Sequence, residues 1–385
     1  MSYLSDRVQK DFIASCEAIE TGRLRLITPE GVVHDFGSSG TEVELKINDW
    51  QAITAALARG DVGFGEAYVA GLWDTNSIEE LTKLALLNLR QFEKFAYAGY
   101  WQSLKFRLVD RLLRANSRKG AGRNIRAHYD TGNEFFQLWL DPSMTYSSAL
   151  FAPDDDDLGR AQMRKYDRIL DRVGKGERLL EIGCGWGGFA ERAAGQGRDV
   201  TALTISPSQK AYADARLDGR AEIRLQDYRD ADGRFDSIVS IEMIEAVGER
   251  YWPTYFQTLR DRLTEGGRAV VQAITVPDSY FPTYRSGSDF IRQHAFPGGQ
   301  LLCDSEISKA ARASGLKVAG NFAFGQDYAR TCRTWLDRMD AEKTRIARLG
   351  HDSAFLRSWQ YYLGICAASF SVGQTDVVQV ELVRA

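Results

Sequence analysis

The chain has 385 residues and a mass of 43.2 kDa, more than one hydrophobic core usually organises, so two domains are expected. Hydrophobic residues at 44% and charged residues at 26% match an average globular chain, which excludes disordered, collagen-like and membrane-embedded classes. A net charge of -3 gives no overall attraction to nucleic acid, so no nucleic-acid partner is expected.

No long apolar run and no apolar signal core is present, so neither insertion nor export is expected, and a cytoplasmic location is. Cys16, Cys184, Cys303, Cys332 and Cys366 are scattered without a CxxC pair, which argues against structural zinc and a disulfide framework. Only four histidines are present, which limits what can act as a base near neutral pH.

Along the chain, GRLRLITPEG and TEVELKIND alternate apolar and polar residues as half-buried strands do, with Pro29, Glu30 and Gly31 supplying a turn. Asn48 or Asp49 can cap a helix running through Trp50, Ile53 and Leu57 to Gly60. GDVGFGEAYVAGLWD follows, then a helix from about Ser77 to Leu89. A helical pattern over 92–114 carries Phe92, Tyr97, Tyr100, Trp101, Leu104, Leu108, Leu112 and Leu113. Between Lys105 and Arg126 stand eight cations and one acid, Asp110, so this stretch is strongly basic. NSRKGAGRN reads as a linker near 115–122, which divides a small α+β domain (1–118) from a second domain (119–385).

Beyond the linker, strand candidates fall at 178–183, 199–205, 221–226, 235–242, 267–275, 316–324 and 375–383, separated by helical patterns. Near-continuous apolar strands alternating with helices imply an α/β fold with a seven-stranded, mostly parallel sheet. The long connections at about 276–315 and 325–374 are of the kind that carry lids or substrate pockets.

LLEIGCGWGGFA is a strand, a glycine turn and a helix start. Gly183, Gly185 and Gly187 let the backbone approach a ligand and present amides at a helix N-terminus. A dinucleotide site needs an acid at the end of the next strand, and Leu203, Thr204, Ile205 and Ser206 supply none. Glu181, two residues before the first glycine, suits S-adenosylmethionine instead, because a carboxylate there attracts the cationic amino acid part of that cofactor. The blander alternative is a glycine turn that serves packing alone.

From about Asn124 onward the chain resembles the cyclopropane-fatty-acyl-phospholipid synthase family of methyltransferases. The resemblance is carried by HYDTGNEFFQLWLDPSMTYSSALF, LLEIGCGWGGFAERAA, TALTISPSQ, SIEMIEAVGERYWPTYF, FIRQHAFPGG and QDYARTCRTWLDRM. GDVGFGEAYVAGLWD extends it to long bacterial members that carry an extra domain and accompany homodimers. It implies a Rossmann-like class I methyltransferase fold and transfer of a methylene unit to the double bond of an unsaturated acyl chain in a membrane phospholipid. The cofactor site would then comprise Tyr146, Ser147, Glu181, Gly183, Gly185, Gly187, Thr204 and Gln209, with Asp227 and Tyr228 near the adenine.

An alkene that takes a sulfonium methyl becomes a carbocation, which must lose a proton to close a ring. The resemblance implies a bound bicarbonate for that proton, gripped by Glu245 and Tyr328, with main-chain contacts near Ile274 and Ser148. Gln272 stands where the family commonly has histidine, Ser148 where it has cysteine, and Ala246 where a histidine is frequent. An amide can donate to an anion but cannot change charge. Acyclic C-methylation, giving a methylene- or methyl-branched chain, therefore stays open beside ring formation. So do methylation of a soluble small molecule and a catalytically silent lipid-binding role.

Glu245 could instead cap a helix or pair with Arg250. His128 and His294 are tempting bases but read as structural. Tyr280, Phe281, Tyr284, Phe290 and Phe296 could pack or stabilise a cation through their ring faces. The basic, aromatic segment before the linker reads either as a solvated face or as an element docking on the anionic inner membrane surface.

Overall fold

The computed structural model describes residues 2–97 and 131–385. The linker, the basic segment, the expected domain limit at 118/119 and His128 lie outside them. The chain forms two compact units, and the first combines the N-terminal segment with Thr283–Pro297 and Cys332–Gln374.

The first unit holds a four-stranded sheet: β1 (Arg23–Ile27), β2 (Val33–Gly37), β3 (Glu42–Ile47) and β4 (Trp73–Thr75), ordered β2-β1-β3-β4. The turn at Pro29–Gly31 joins β1 to β2 as an antiparallel hairpin, whereas β3 lies parallel to β1. Alternation places Leu24, Leu26, Val43, Leu45 and Ile47 in the core. The helix Gln51–Arg59 starts where its pattern predicts, and Asp49 caps it as expected, its Oδ1 accepting from Gln51 N at 2.8 Å. Ser77 does cap Ile78–Leu87, accepting from Glu80 N at 3.1 Å. Of the helix expected over 92–114, Leu89–Ala96 is described, with Phe92 and Phe95 buried.

GDVGFGEAYVAGLWD forms the helix Asp61–Val69 and β4. Gly65 is required by space, because a Cβ there would lie 2.5 Å from the rings of both Phe290 and Tyr361. Those two residues come from the long connections, which therefore build this unit's core. Arg357, on the helix Ser353–Ser371, lies over the Tyr68 ring at 3.8 Å and donates to Tyr68 O and Trp73 O.

The second unit holds all seven expected strands: β5 (Arg178–Ile182), β6 (Asp199–Thr204), β7 (Glu222–Leu225), β8 (Phe235–Ile241), β9 (Leu263–Thr275), β10 (Leu316–Ala323) and β11 (Asp376–Arg384). Their order is β10-β11-β9-β8-β5-β6-β7. Strands β5 to β9 pair in parallel, and β11 joins β9 and β10 antiparallel. The chain winds one way from β5 to β6 and the other way to β8. Open sheets of this type bind ligands past the carboxyl ends of the strands at such a switch point. The glycine loop and the segment 242–246 leave β5 and β8 there.

Candidate active site

The loop after β5 is drawn tight by Gly183 N and Cys184 N, which both donate to Leu203 O at 3.0 and 2.9 Å. Gly183, Gly185 and Gly187 all have positive φ (86°, 52° and 84°), a region that favours glycine. Their roles differ. A Cβ on Gly183 would stand 2.9 Å from Met243 Cγ and one on Gly187 3.1 Å from Ala213 Cβ, whereas one on Gly185 would meet nothing within 4 Å. The outer two therefore pack the turn, and the middle one faces open space where a ligand can approach the backbone.

At the end of β6, Thr204 Oγ1 donates to Gln209 Oε1 at 2.9 Å, leaving the Gln209 amide nitrogen as a donor for ligand hydroxyls. Ser206 caps the helix Pro207–Leu217. Past β7, the Asp227 carboxylate takes the Arg229 guanidinium at 2.8 and 2.6 Å, and the Tyr228 ring meets Tyr255 edge-on at 5.6 Å. Asp227 thus reaches a ligand only with its remaining acceptor capacity.

Glu181 is buried in the β5 ladder, and burial pushes its carboxyl up to about 8 against the opposing pull of Lys165. Its Oε2 has no partner among the described residues. An orphaned buried carboxyl oxygen beside an open glycine backbone fits a cationic amino acid ligand such as that of S-adenosylmethionine.

Residues 141–149 form a compact strap. The Asp141 carboxylate accepts from Ser143 N at 2.9 Å and Thr145 N at 3.2 Å. Tyr146 packs against Phe136 and Trp139 at 5.6 Å each. Ser147 Oγ accepts from Lys165 Nζ at 2.7 Å, and Ser147 O accepts from Gln162 Nε2 at 3.0 Å. Lys165 is fully buried, and desolvation pulls its ammonium down to about 7 while Glu242, Asp141 and Glu181 oppose that shift.

Past β8 stands Glu242, which sequence reasoning passed over as a strand end. Its Oε1 accepts from Ser148 N at 2.9 Å and from Gln272 Nε2 at 2.8 Å, and its Oε2 from Tyr328 OH at 2.5 Å. Its backbone takes φ 48°, unusual for a side chain larger than glycine. Burial raises its carboxyl above the usual range, opposed by Tyr328 and Lys165. Glu245 lies nearby but is held elsewhere: its Oε1 accepts from Ile274 N at 2.5 Å. Burial, reinforced by the Glu242 charge, pushes Glu245 up to about 8, and its Oε2 has no partner among the described residues. No ion pair with Arg250 forms among the described residues.

The five residues expected to grip bicarbonate therefore fall into two groups. Glu245 meets Ile274, while Ser148, Gln272 and Tyr328 converge on Glu242. Bicarbonate does not fit this donor set, because the groups that would hold it already hold a carboxylate of the chain itself.

Gln272 is oriented from behind: Gln379 Nε2 donates to its Oε1 at 2.9 Å, and Arg168 donates in turn to Gln379 Oε1. Three contributors were thus missed by sequence reading. Lys165 had a signal, since it shares a buried stripe with Leu158, Ala161, Gln162, Tyr166, Ile169, Leu170 and Val173 on Leu158–Val173. Gln379 and Glu242 had none beyond being polar at a strand position or strand end.

His294 belongs to the first unit, where its Nε2 meets Glu66 Oε1 at 2.9 Å. Phe290 packs on Tyr361 and Phe296 on Tyr362, while Tyr284 stacks under Arg292 at 4.1 Å. Phe281 meets Trp252 in the second unit at 6.5 Å. For these aromatics the structure gives packing roles.

The family model described as Mycolic acid cyclopropane synthetase matches residues 116–380. The chain belongs to the mycolic acid cyclopropane synthetase family. Within this family's range of curated relatives, it is 39% identical over 354 residues to a tuberculostearic acid methyltransferase of Mycobacterium tuberculosis, covering 86% of this chain and 81% of that one. It is 32% identical over 367 residues to the cyclopropane-fatty-acyl-phospholipid synthase of Escherichia coli, covering 90% and 89%. A cyclopropane synthase structure from Mycobacterium tuberculosis superposes with a TM-score of 0.64 at 29% identity, covering 68% of this chain and 97% of that one. A mycolic acid cyclopropane synthase complexed with SAH and CTAB gives 0.63 at 30% identity over the same shares. This member of the mycolic acid cyclopropane synthetase family is an S-adenosylmethionine-dependent methyltransferase of the class I fold. Among its described residues, no helix is long and apolar enough to cross a membrane.

Proposed function

We propose that the protein methylates carbon: it transfers the methyl of S-adenosylmethionine to the double bond of an unsaturated acyl chain in a membrane phospholipid. The observation that carries this reading is the recessed carboxylate pair, Glu242 and Glu245, just past β8. A methylated alkene is a carbocation that must lose a proton from carbon, and a carboxylate withdrawn from water is suited to receive it.

Gly185, Gln209 and Glu181 would hold the cofactor, which when bound supplies an electrophilic sulfonium methyl. The alkene π pair forms the new carbon–carbon bond as the carbon–sulfur bond breaks toward sulfur, leaving the cation on the other alkene carbon. In ring closure, a methyl proton leaves and its bonding pair closes the cyclopropane, the outcome suggested by the Escherichia coli relative. In the second reading a hydride shifts first, and proton loss then leaves a methylene branch. Likeness to the tuberculostearic acid methyltransferase favours that branching outcome, as do the Ser148, Ala246 and Gln272 departures. Both outcomes add one CH2 and need no reductant; a saturated methyl branch would need a separate two-electron reduction.

The basic segment Lys105–Arg126 supports docking on anionic lipid, since clustered cations beside aromatic residues suit a headgroup surface. The test is incubation with methyl-labelled cofactor and vesicles containing oleoyl phospholipids, followed by ozonolysis of the recovered acyl chains. Label in ozone-resistant chains supports the ring, and label released as formaldehyde, with an unlabelled ketone left in the acyl chain, supports the methylene branch. Label confined to soluble acceptors, or none at all, sinks the lipid reading.

A further inference from the structure

We infer that Glu242 is itself the proton acceptor of this enzyme, its side chain standing where the family resemblance places an exogenous bicarbonate. This inference rests on the proposed carbon methylation. A bicarbonate ion and a glutamate side chain present the same planar, singly charged CO2 group. Here that group is supplied covalently, and Ser148 N, Gln272 Nε2 and Tyr328 OH are bonded to it at 2.9, 2.8 and 2.5 Å.

Four further observations fit an engaged anion. First, Glu242 is held at φ 48°, and strain of this kind persists where surrounding contacts over-determine a side chain's position. Second, the Gln272 amide cannot turn its oxygen to the carboxylate, because that oxygen is taken by Gln379 Nε2 at 2.9 Å. Third, a carboxylate offers about four lone-pair positions, and three are filled, leaving one for an incoming proton. Fourth, the charged and titratable groups facing it divide the labour. Lys165, from Leu158–Val173, is pulled down to about 7 by burial and so carries only part of its positive charge near neutrality, Tyr328 donates its hydroxyl, and Glu245 retains its own proton near neutrality. Burial raises both carboxyls, and geometry separates their roles: three donors grip Glu242 and only Ile274 N meets Glu245, so Glu242 is the base.

In the step itself, the C–H pair of the methylated cation moves to carbon, as the new ring bond or the new double bond. The proton passes to the free lone pair of Glu242, which becomes neutral and later returns the proton to solvent. No outside base is consumed.

The variant that tests this is Glu242→Gly, because glycine accepts the φ of 48° without strain, and its folding is checked by circular dichroism before assay. In carbonate-depleted buffer under argon, with oleoyl phospholipid vesicles and labelled cofactor, wild-type turnover is expected to stay within about twofold of that in added bicarbonate. Glu242→Gly is expected to lose at least about 100-fold without bicarbonate and to recover part of that loss with it, since the vacated donors can then hold the ion. Titration with 13C-labelled bicarbonate, followed by NMR line width, gives a readout independent of turnover. Binding is expected for the variant and not for the wild type. Wild-type dependence on bicarbonate, wild-type binding as tight as the variant's, or full variant turnover in depleted buffer would each overturn the inference. Absence of label in lipid from the wild type under every condition would instead sink the carbon-methylation reading, and the binding comparison would still decide which group occupies the site.

Discussion

Gln379 lies directly across the antiparallel β9–β11 ladder from Gln272 and donates its Nε2 to Gln272 Oε1 at 2.9 Å. Both side chains are fully buried, so each amide must find its partners within the protein. Arg168 closes the series by donating to Gln379 Oε1. The chain of donors therefore has one direction, from a cation toward the Glu242 carboxylate.

Gln379→Leu is expected to lower turnover by about 5- to 100-fold, because Gln272 is left with an unsatisfied buried carbonyl and is free to turn. Cofactor affinity should be unchanged, since the glycine loop is untouched. Steady-state kinetics with direct cofactor titration checks both. Equal losses in affinity and turnover would indicate general damage rather than misorientation.

Glu245 offers a test by pH. Its folded-state carboxyl is raised to about 8 from the ordinary 4.5. As pH climbs from about 4.5 to about 8, the unfolded chain releases this proton and the folded protein does not, so folding is progressively penalised. Glu245→Gln lacks that penalty. Its melting temperature relative to wild type should therefore rise across this window and level off above it. A difference independent of pH would show that Glu245 is already ionised in the folded protein.

Cofactor binding should be linked to protons through Glu181. Its carboxyl is raised to about 8, so it is largely protonated at neutral pH, and a cationic ligand group brought beside it would draw the proton off. Affinity for S-adenosylmethionine is expected to increase with pH up to about 8, with proton release seen by calorimetry in buffers of different ionisation enthalpy. Glu181→Gln should abolish the release. Proton uptake on binding would contradict this role.

The glycine loop separates packing from binding. Gly183→Ala is expected to cost about 1–2 kcal/mol in stability, because its φ disfavours a side chain. The added Cβ would also meet Met243 Cγ at 2.9 Å. At Gly185 a Cβ meets nothing within 4 Å, so Gly185→Leu should cost only the backbone strain of its φ of 52°, about 1–2 kcal/mol without a clash, while largely removing cofactor affinity. Thermal denaturation paired with cofactor titration distinguishes the two positions. Retained affinity in Gly185→Leu would move the cofactor elsewhere.

Local pattern was enough for much of this protein. Apolar runs and their intervals specify the seven strands of the second sheet, since burial of a parallel strand demands an unbroken apolar sequence. The glycine spacing and the absence of an acid after β6 specify a turn suited to a sulfonium cofactor, because both are backbone and charge requirements written within a few residues. Tertiary structure alone decided which unit the long connections build and how the polar residues are partnered. Phe290 and Tyr361 join the N-terminal core only because Gly65 leaves room for them. Ser148, Gln272 and Tyr328 lie far apart in the chain, and whether they hold a free ion or Glu242 depends on a backbone twist at one strand end. Hydrogen bonds across such separations carry no periodicity in sequence, so only the folded geometry sets which carboxylate they serve.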